Sequence, residues 1–374
     1  MNVIFFGSSK NIGLTYHFAH TATALSRRLK QKFYLVSTAS EQESGLWDVV
    51  LEELGNENCI MLEQDDASPE SKVEPIIKKG DKTVIHVQGR VQLRLIAPLI
   101  KKYHNTVRVV ITIHSFRNGT KWRIPYSLYL SFLYKKSVDS CIFLSPFALR
   151  SFCGSSFLAR KVSIIPFGLK SYEYKEPLSS ELSDVVVDCL CNKQLVKGVY
   201  LANFLKNKGH YWLIKGLVKP LKEKPDFRVV FLGDTNTAEF ARCKKLIVKY
   251  GLQDKILIAG RVNRNYIPWI LSKCDFALTA TGSENAGHNC VEPMLAGLPV
   301  IGTRVGSAEF LIQDFVTGFG VKNKDSTALS SSVSTALNNT DLLAIMGKNA
   351  KVLADSLYSW ENMVDAYIKL YESL

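Results

Sequence analysis

The chain has 374 residues, 47% hydrophobic and 22% charged, the balance of a globular protein long enough for two domains with full cores. Its eight cysteines show no C-x-x-C pair and no metal-ligand spacing, which argues for reduced thiols in a cytosolic setting and against a metal cluster. No apolar run reaches the about 18 residues a bilayer crossing needs, Met1 leads straight into VIFFG without a leader pattern, and the net charge of +13 calls for a negatively charged partner.

VIFFG, then SSKNIGLTYHFAHTATALSRRLK, then FYLVS read as strand, loop, helix and strand, with Gly13 where the helix begins. The spacing is not G-x-G-x-x-G, so Gly13 either lets a ligand approach a helix N-terminus or merely starts the helix. Residues 41 to 81 are acidic and poorly periodic, with a helix predicted within LWDVVLEEL. TVIHVQG (83–89) and VRVVITIHS (107–115) read as strands, with a helix through RLIAPLIKKY between them. His86 and His114 lie near their ends, where a lone histidine is more often structural. Residues 101 to 136 hold eight Lys or Arg and no acid. Within them, 121–136 sets Trp122, Tyr126, Tyr129, Phe132 and Tyr134 among Lys121, Arg123, Lys135 and Lys136. Such a helix suits an anionic membrane interface, the alternative being a core helix with charged ends. CIFLS, a helix and VSIIPFG (162–168) complete a first domain.

The segment from Lys170 to Asp184, with Pro177 and several Ser and Glu, reads as a linker. Cys189 and Cys191 flank Leu190 as in a strand or its end. KGVYLANF (197–204) is the first convincing strand of a second domain, followed by the loop LKNKG and a helix over 210–224. Strand and helix alternate onward to DFALTA (275–280), a strand ending in small polar residues. A loop from Thr281 to Asn289 follows, then a helix from about Cys290 to Ala296, stopped by Gly297, and a strand from Leu298. This is one unit of a doubly wound sheet, in which ligands sit outside the carboxyl ends of the strands and a helix N-terminus suits a diphosphate. An anion site gains nothing from Glu284 and Glu292. As hydroxyl acceptors beside phosphate-binding amides, they describe a nucleotide-sugar. The alternative is a capping box of Asn289 and Glu292, with Glu284 a solvated loop acid.

The stretch ENAGHNCVEPMLAGLPVIG resembles the signature of the family-4 retaining glycosyltransferases of the GT-B fold, with Glu284, Gly287, Glu292, Met294, Gly297, Pro299 and Val300 in register. Asn285, Ala286, His288 and Pro293 depart from it. The resemblance spans nearly the full length and is strongest from 256 to 320. It implies an α/β protein of two Rossmann-like doubly wound domains facing a central cleft: an acceptor-side domain over 1–169, a linker over 170–184, and a donor domain over 185–357. A last helix over 358–374 would cross back to the first domain. The implied roles put Glu284 on donor-sugar hydroxyls, Glu292 on ribose hydroxyls, and Gly287, His288 and Asn289 against the diphosphate and sugar. Gly13 would lie near the donor phosphates, His114 at the reacting centre, and Lys208 on the diphosphate. Asn203 stands where the family has a phosphate-binding Arg, and Arg261 is the nearest candidate to replace that charge or to line the base pocket.

The expected function is transfer of a sugar from a nucleotide-diphosphate sugar to a lipid-linked saccharide acceptor, with retention of configuration. No metal or other cofactor and no nucleic acid is expected to take part. The expected setting is cytoplasmic, peripheral on the anionic inner face of the cell membrane. One rival is a GT-B sugar-nucleotide epimerase or phosphorylase, since fold does not fix function. The other is a non-catalytic anionic-lipid or polyanion binder, which would have no use for Glu284 and Glu292 in this register.

Overall fold

The computed structural model describes residues 1–6, 12–29, 32–38, 54–62, 70–79, 82–113, 137–152, 162–169, 182–282 and 287–374. The chain divides into two compact units, Met1–Gly168 with Trp360–Leu374, and Leu169–Ser359.

The first unit is built on a seven-stranded parallel sheet in the order β3-β2-β1-β4-β5-β6-β7. Its strands are β1 (Asn2–Phe6), β2 (Lys32–Thr38), β3 (Cys59–Leu62), β4 (Thr83–Val87), β5 (Val107–Ile113), β6 (Ser140–Phe143) and β7 (Val162–Ile164). β1 and β4 are buried throughout and β5 nearly so, the continuous apolar runs that a parallel sheet needs. The acidic region 41–81 holds β3 and the helix Glu70–Lys78, which its composition did not signal. The helix predicted in LWDVVLEEL lies outside the described residues, except for Leu54 at its end. The helix expected through RLIAPLIKKY is two, Arg90–Leu95 and Ala97–Lys102, because Pro98 has no N–H to donate back to Arg94. His114 and the basic aromatic stretch 121–136 lie outside the described residues.

The helix Trp360–Glu372 belongs to this unit and buries Met363, Val364, Tyr367 and Tyr371. The Tyr371 hydroxyl lies 2.6 Å from His86 Nδ1, whose Nε2 lies 2.7 Å from Thr112 Oγ1. His86 is therefore a core histidine bonded on both sides. Arg28 pairs with Glu361 at 3.1 Å and with Asp365, and Gly168 N donates to Met363 Sδ at 3.1 Å.

The second unit carries a six-stranded parallel sheet in the order β10-β9-β8-β11-β12-β13. These strands are β8 (Val196–Leu201), β9 (Phe227–Leu232), β10 (Ile256–Gly260), β11 (Phe276–Thr279), β12 (Val300–Thr303) and β13 (Gly318–Val321). Helices His210–Glu223, Ala238–Tyr250 and Ser326–Leu337 share one core with the sheet. Helices Asp184–Cys191, Ile267–Ser272 and His288–Leu295 share the other. Cys189 and Cys191 thus sit on a helix, not a strand. Positions two apart face opposite sides of a helix, which is why Cys189 is buried and Cys191 exposed. Of the segment read as a linker, 170–181 lies outside the described residues and Asp184 opens that helix. The fold is two Rossmann-like α/β units, each on its own parallel sheet.

Candidate nucleotide-sugar site

In the second sheet β8 lies beside β11, yet the chain leaves β8 towards β9 and leaves β11 towards β12. Such a reversal opens a crevice beyond the carboxyl ends of the two strands, the place where doubly wound sheets take ligands. Two helices begin there. β8 leads through the tight turn Lys206–Lys208 into His210–Glu223, and β11 leads into His288–Leu295. Each helix is capped by a left-handed glycine, Gly209 at φ 70° and Gly287 at φ 72°, and neither has a side-chain cap. A Cβ on Gly209 would lie 2.1 Å from the Ala280 carbonyl oxygen, and one on Gly287 2.9 Å from Ser307 Cβ. With a glycine at each cap and no side-chain cap hydrogen bond, both helix N-termini suit phosphate oxygens. The capping-box alternative is overturned: Gly287, not Asn289, is the cap, and the helix starts two residues before Cys290.

The Asn289 side chain turns inward instead. Its Nδ2 donates to Thr279 Oγ1 at 2.8 Å and to Thr281 Oγ1 at 3.1 Å. Thr281 Oγ1 lies 3.2 Å from the Tyr200 hydroxyl, which donates to the Lys208 carbonyl at 2.6 Å. Gly282 N donates to the Asn207 carbonyl at 2.8 Å, and Thr303 Oγ1 to the Thr281 carbonyl at 2.8 Å. A buried relay of hydroxyls thus joins the Lys208 turn to the first turn of the second helix. Sequence reasoning missed Tyr200 and Thr281 because nothing in their spacing marks them.

Glu292 is nearly buried, its side chain 11% exposed, and it is ion-paired to Arg264 Nη2. Burial pushes its carboxyl above the ordinary range, and Arg264 opposes that rise. Arg264 opens a short turn, Arg264–Tyr266, just past β10. Arg261, singled out from the sequence, is exposed at the end of β10, so the guanidinium that meets Glu292 is three residues further on. The hint in the sequence was an Arg shortly after a strand end and just before the helix that starts at Ile267.

Asn203 is exposed at its residue surface, and its Oδ1 accepts from Asp234 N at 2.9 Å. A guanidinium, which has no acceptor, could not take that role. Lys208 and His288 are half-buried at the two helix starts. Gly13 lies in the first turn of the helix Ile12–Arg28 of the first unit. Glu284 lies outside the described residues, as does His114. Among the described residues no group of three His, Cys, Asp or Glu side chains could hold a metal ion.

The chain is 28% identical over 177 residues to an uncharacterized glycosyltransferase of Methanocaldococcus jannaschii, covering 47% of this chain and 48% of that one. It is 26% identical over 173 residues to N-acetyl-alpha-D-glucosaminyl L-malate synthase of Bacillus anthracis, covering 46% and 44%. These alignments span about half the length of the curated relatives. The crystal structure of Anabaena HepE in complex with UDP has a similar fold, with a TM-score of 0.79 at 17% identity over 100% of both chains. Residues 192–353, which contain every element of the crevice described above, match the family Glycosyl transferases group 1.

Proposed function

We propose that the protein is a retaining glycosyltransferase that moves a hexosyl group from a nucleoside-diphosphate sugar to a lipid-linked saccharide acceptor. The observation that carries this reading is the coincidence, at one strand reversal, of two helix N-termini without side-chain caps and the nearly buried carboxylate of Glu292. The helix starts suit the diphosphate, and Glu292 suits the ribose hydroxyls. HepE, solved with UDP, and the Bacillus anthracis relative, named as an N-acetylglucosaminyl malate synthase, fit the same donor class.

In this reading the reaction passes through an oxocarbenium-like centre as the diphosphate departs. Lys208 and the amides at Gly287 to Asn289 offset the charge that grows on the leaving phosphate, while Glu284 holds the donor sugar. The same reading assigns Gly13 to the donor phosphates and His114 to the reacting centre. No metal is needed for these roles. Incubation with a panel of nucleotide-sugars in the presence of EDTA should release one nucleoside diphosphate, read by mass spectrometry. Glu292→Ala should weaken binding of that nucleotide by about 1–3 kcal/mol in calorimetry. An unchanged affinity would remove Glu292 from the site.

The lipid-linked acceptor is supported by residues 101–136, with eight basic residues and no acid. Four of them, Lys121, Arg123, Lys135 and Lys136, could each contribute about 1 kcal/mol on an anionic surface, enough for reversible attachment at the inner face of the membrane. No helix among the described residues is long and apolar enough to cross a membrane. Wild type should float with liposomes of rising anionic content, and a variant with those four residues changed to Ser should not. Equal flotation of both would assign the stretch to the core.

A further inference from the structure

We propose that Arg264 is a positioning residue for the nucleoside: its guanidinium fixes the Glu292 carboxylate in one orientation, so that ribose hydroxyls meet a preset acceptor. This rests on the nucleotide-sugar reading above and extends it to a residue outside the recognisable motifs.

The two partners come from separate segments, 28 residues apart, and meet by folding alone. Glu292 is held by the helix His288–Leu295, while Arg264 stands on a turn with supports of its own. Asn263 Oδ1 accepts from Asn265 N at 3.1 Å, and Tyr266 N donates to the Asn263 carbonyl at 3.0 Å. Trp269, Ile270 and Leu271 are buried and anchor the helix that follows the turn directly. A side chain held on a rigid turn can orient its partner rather than follow it.

The chemistry of the pair suits this task. A carboxylate has about four acceptor positions, and one N–H from Arg264 to Oε1 leaves the others for hydroxyl donors. Burial favours the neutral form of Glu292, which would turn one of those acceptors into a donor, and the guanidinium opposes that change. Arg264 remains 35% exposed, so it can keep this contact at the edge of a crevice open to a nucleotide. Without it, Glu292 could rotate or take up a proton, and its preference for a ribose over a deoxyribose would fade.

The test is calorimetric binding of UDP, GDP and ADP and their 2′-deoxy counterparts to wild type, Arg264→Lys and Arg264→Ala, with thermal melts to check the fold. Wild type should favour the ribonucleotide over its deoxy form by about tenfold or more. Arg264→Ala should bind the ribonucleotide about tenfold more weakly and discriminate by about twofold or less, with Arg264→Lys between. A purely structural role would not move that ratio. Should Arg264→Ala melt early, Arg264→Gln decides by the same ratio. A wild-type ratio in the variant, even at lower affinity, overturns this proposal and leaves the donor reading standing. Failure of wild type to bind any nucleoside diphosphate overturns both.

Discussion

Replacing Lys208 by Ala is expected to lower kcat by about 10²–10³-fold while changing donor affinity far less. Charge accumulates on the departing phosphate as the glycosidic bond breaks, so a cation aimed there contributes most in the transition state. Lys208 ends the turn that feeds the Gly209 cap, and the Tyr200 hydroxyl holds its carbonyl at 2.6 Å. The neighbouring position that could share this duty holds Asn203, whose Oδ1 is engaged with Asp234 N. Asn203→Arg should therefore not rescue the variant, because it leaves that N–H without its acceptor. Steady-state kinetics beside calorimetric donor binding give the answer, with Lys206→Ala, an exposed residue of the same turn, as the comparison. A loss confined to KM would make Lys208 a ground-state ligand only.

Acid should destabilise the second unit through His210. This residue is fully buried, stacked on Phe204 at 4.0 Å and packed against Tyr200 and Phe231. Burial pushes its imidazole down to about 3, with Lys208 adding to the effect. The unfolded chain takes up the proton first, near the ordinary value of about 6.5. Stability is therefore full above that pH and falls as pH drops towards the folded value. The full window corresponds to at most about 5 kcal/mol, and lowering the pH from 6.5 to 4.5 to about 2–3 kcal/mol. His210→Phe should remove this part of the slope in urea titrations between pH 6.5 and 4.5. Parallel slopes for the two proteins would mean that the imidazole is protonated in the folded state.

Much of the fold could be read directly, for reasons visible in particular elements. β4 and β5 are short apolar runs between turn signals, and the helix His210–Glu223 was expected over 210–224. β3 was hidden because Cys59–Leu62 is a four-residue edge strand inside an acidic stretch. Cys189 and Cys191 suggested a strand because spacing of two is the period of a strand, whereas the helix splits them between core and solvent. In the site, Glu292 was legible from its register, but its partner was not. Arg264 reaches it only because the turn after β10 and the helix after β11 converge on folding, a relation no local pattern encodes. Asn289 suggested a cap by residue type, while the backbone gave that place to Gly287 and turned Asn289 towards Thr279 and Thr281.

The order of the chain also bears on how the protein is made. The second unit is one continuous segment, Leu169–Ser359, whereas the first needs Trp360–Leu374 to cover its sheet. Until those residues leave the ribosome, His86 lacks the Tyr371 hydroxyl and the nascent first unit lacks the buried face of Met363, Val364, Tyr367 and Tyr371. The usual progression of synthesis, with the earlier domain finished first, is therefore reversed here. The later unit can close while the earlier one still exposes apolar surface, which makes the interval before Trp360–Glu372 is released the time when a nascent chain most needs a chaperone.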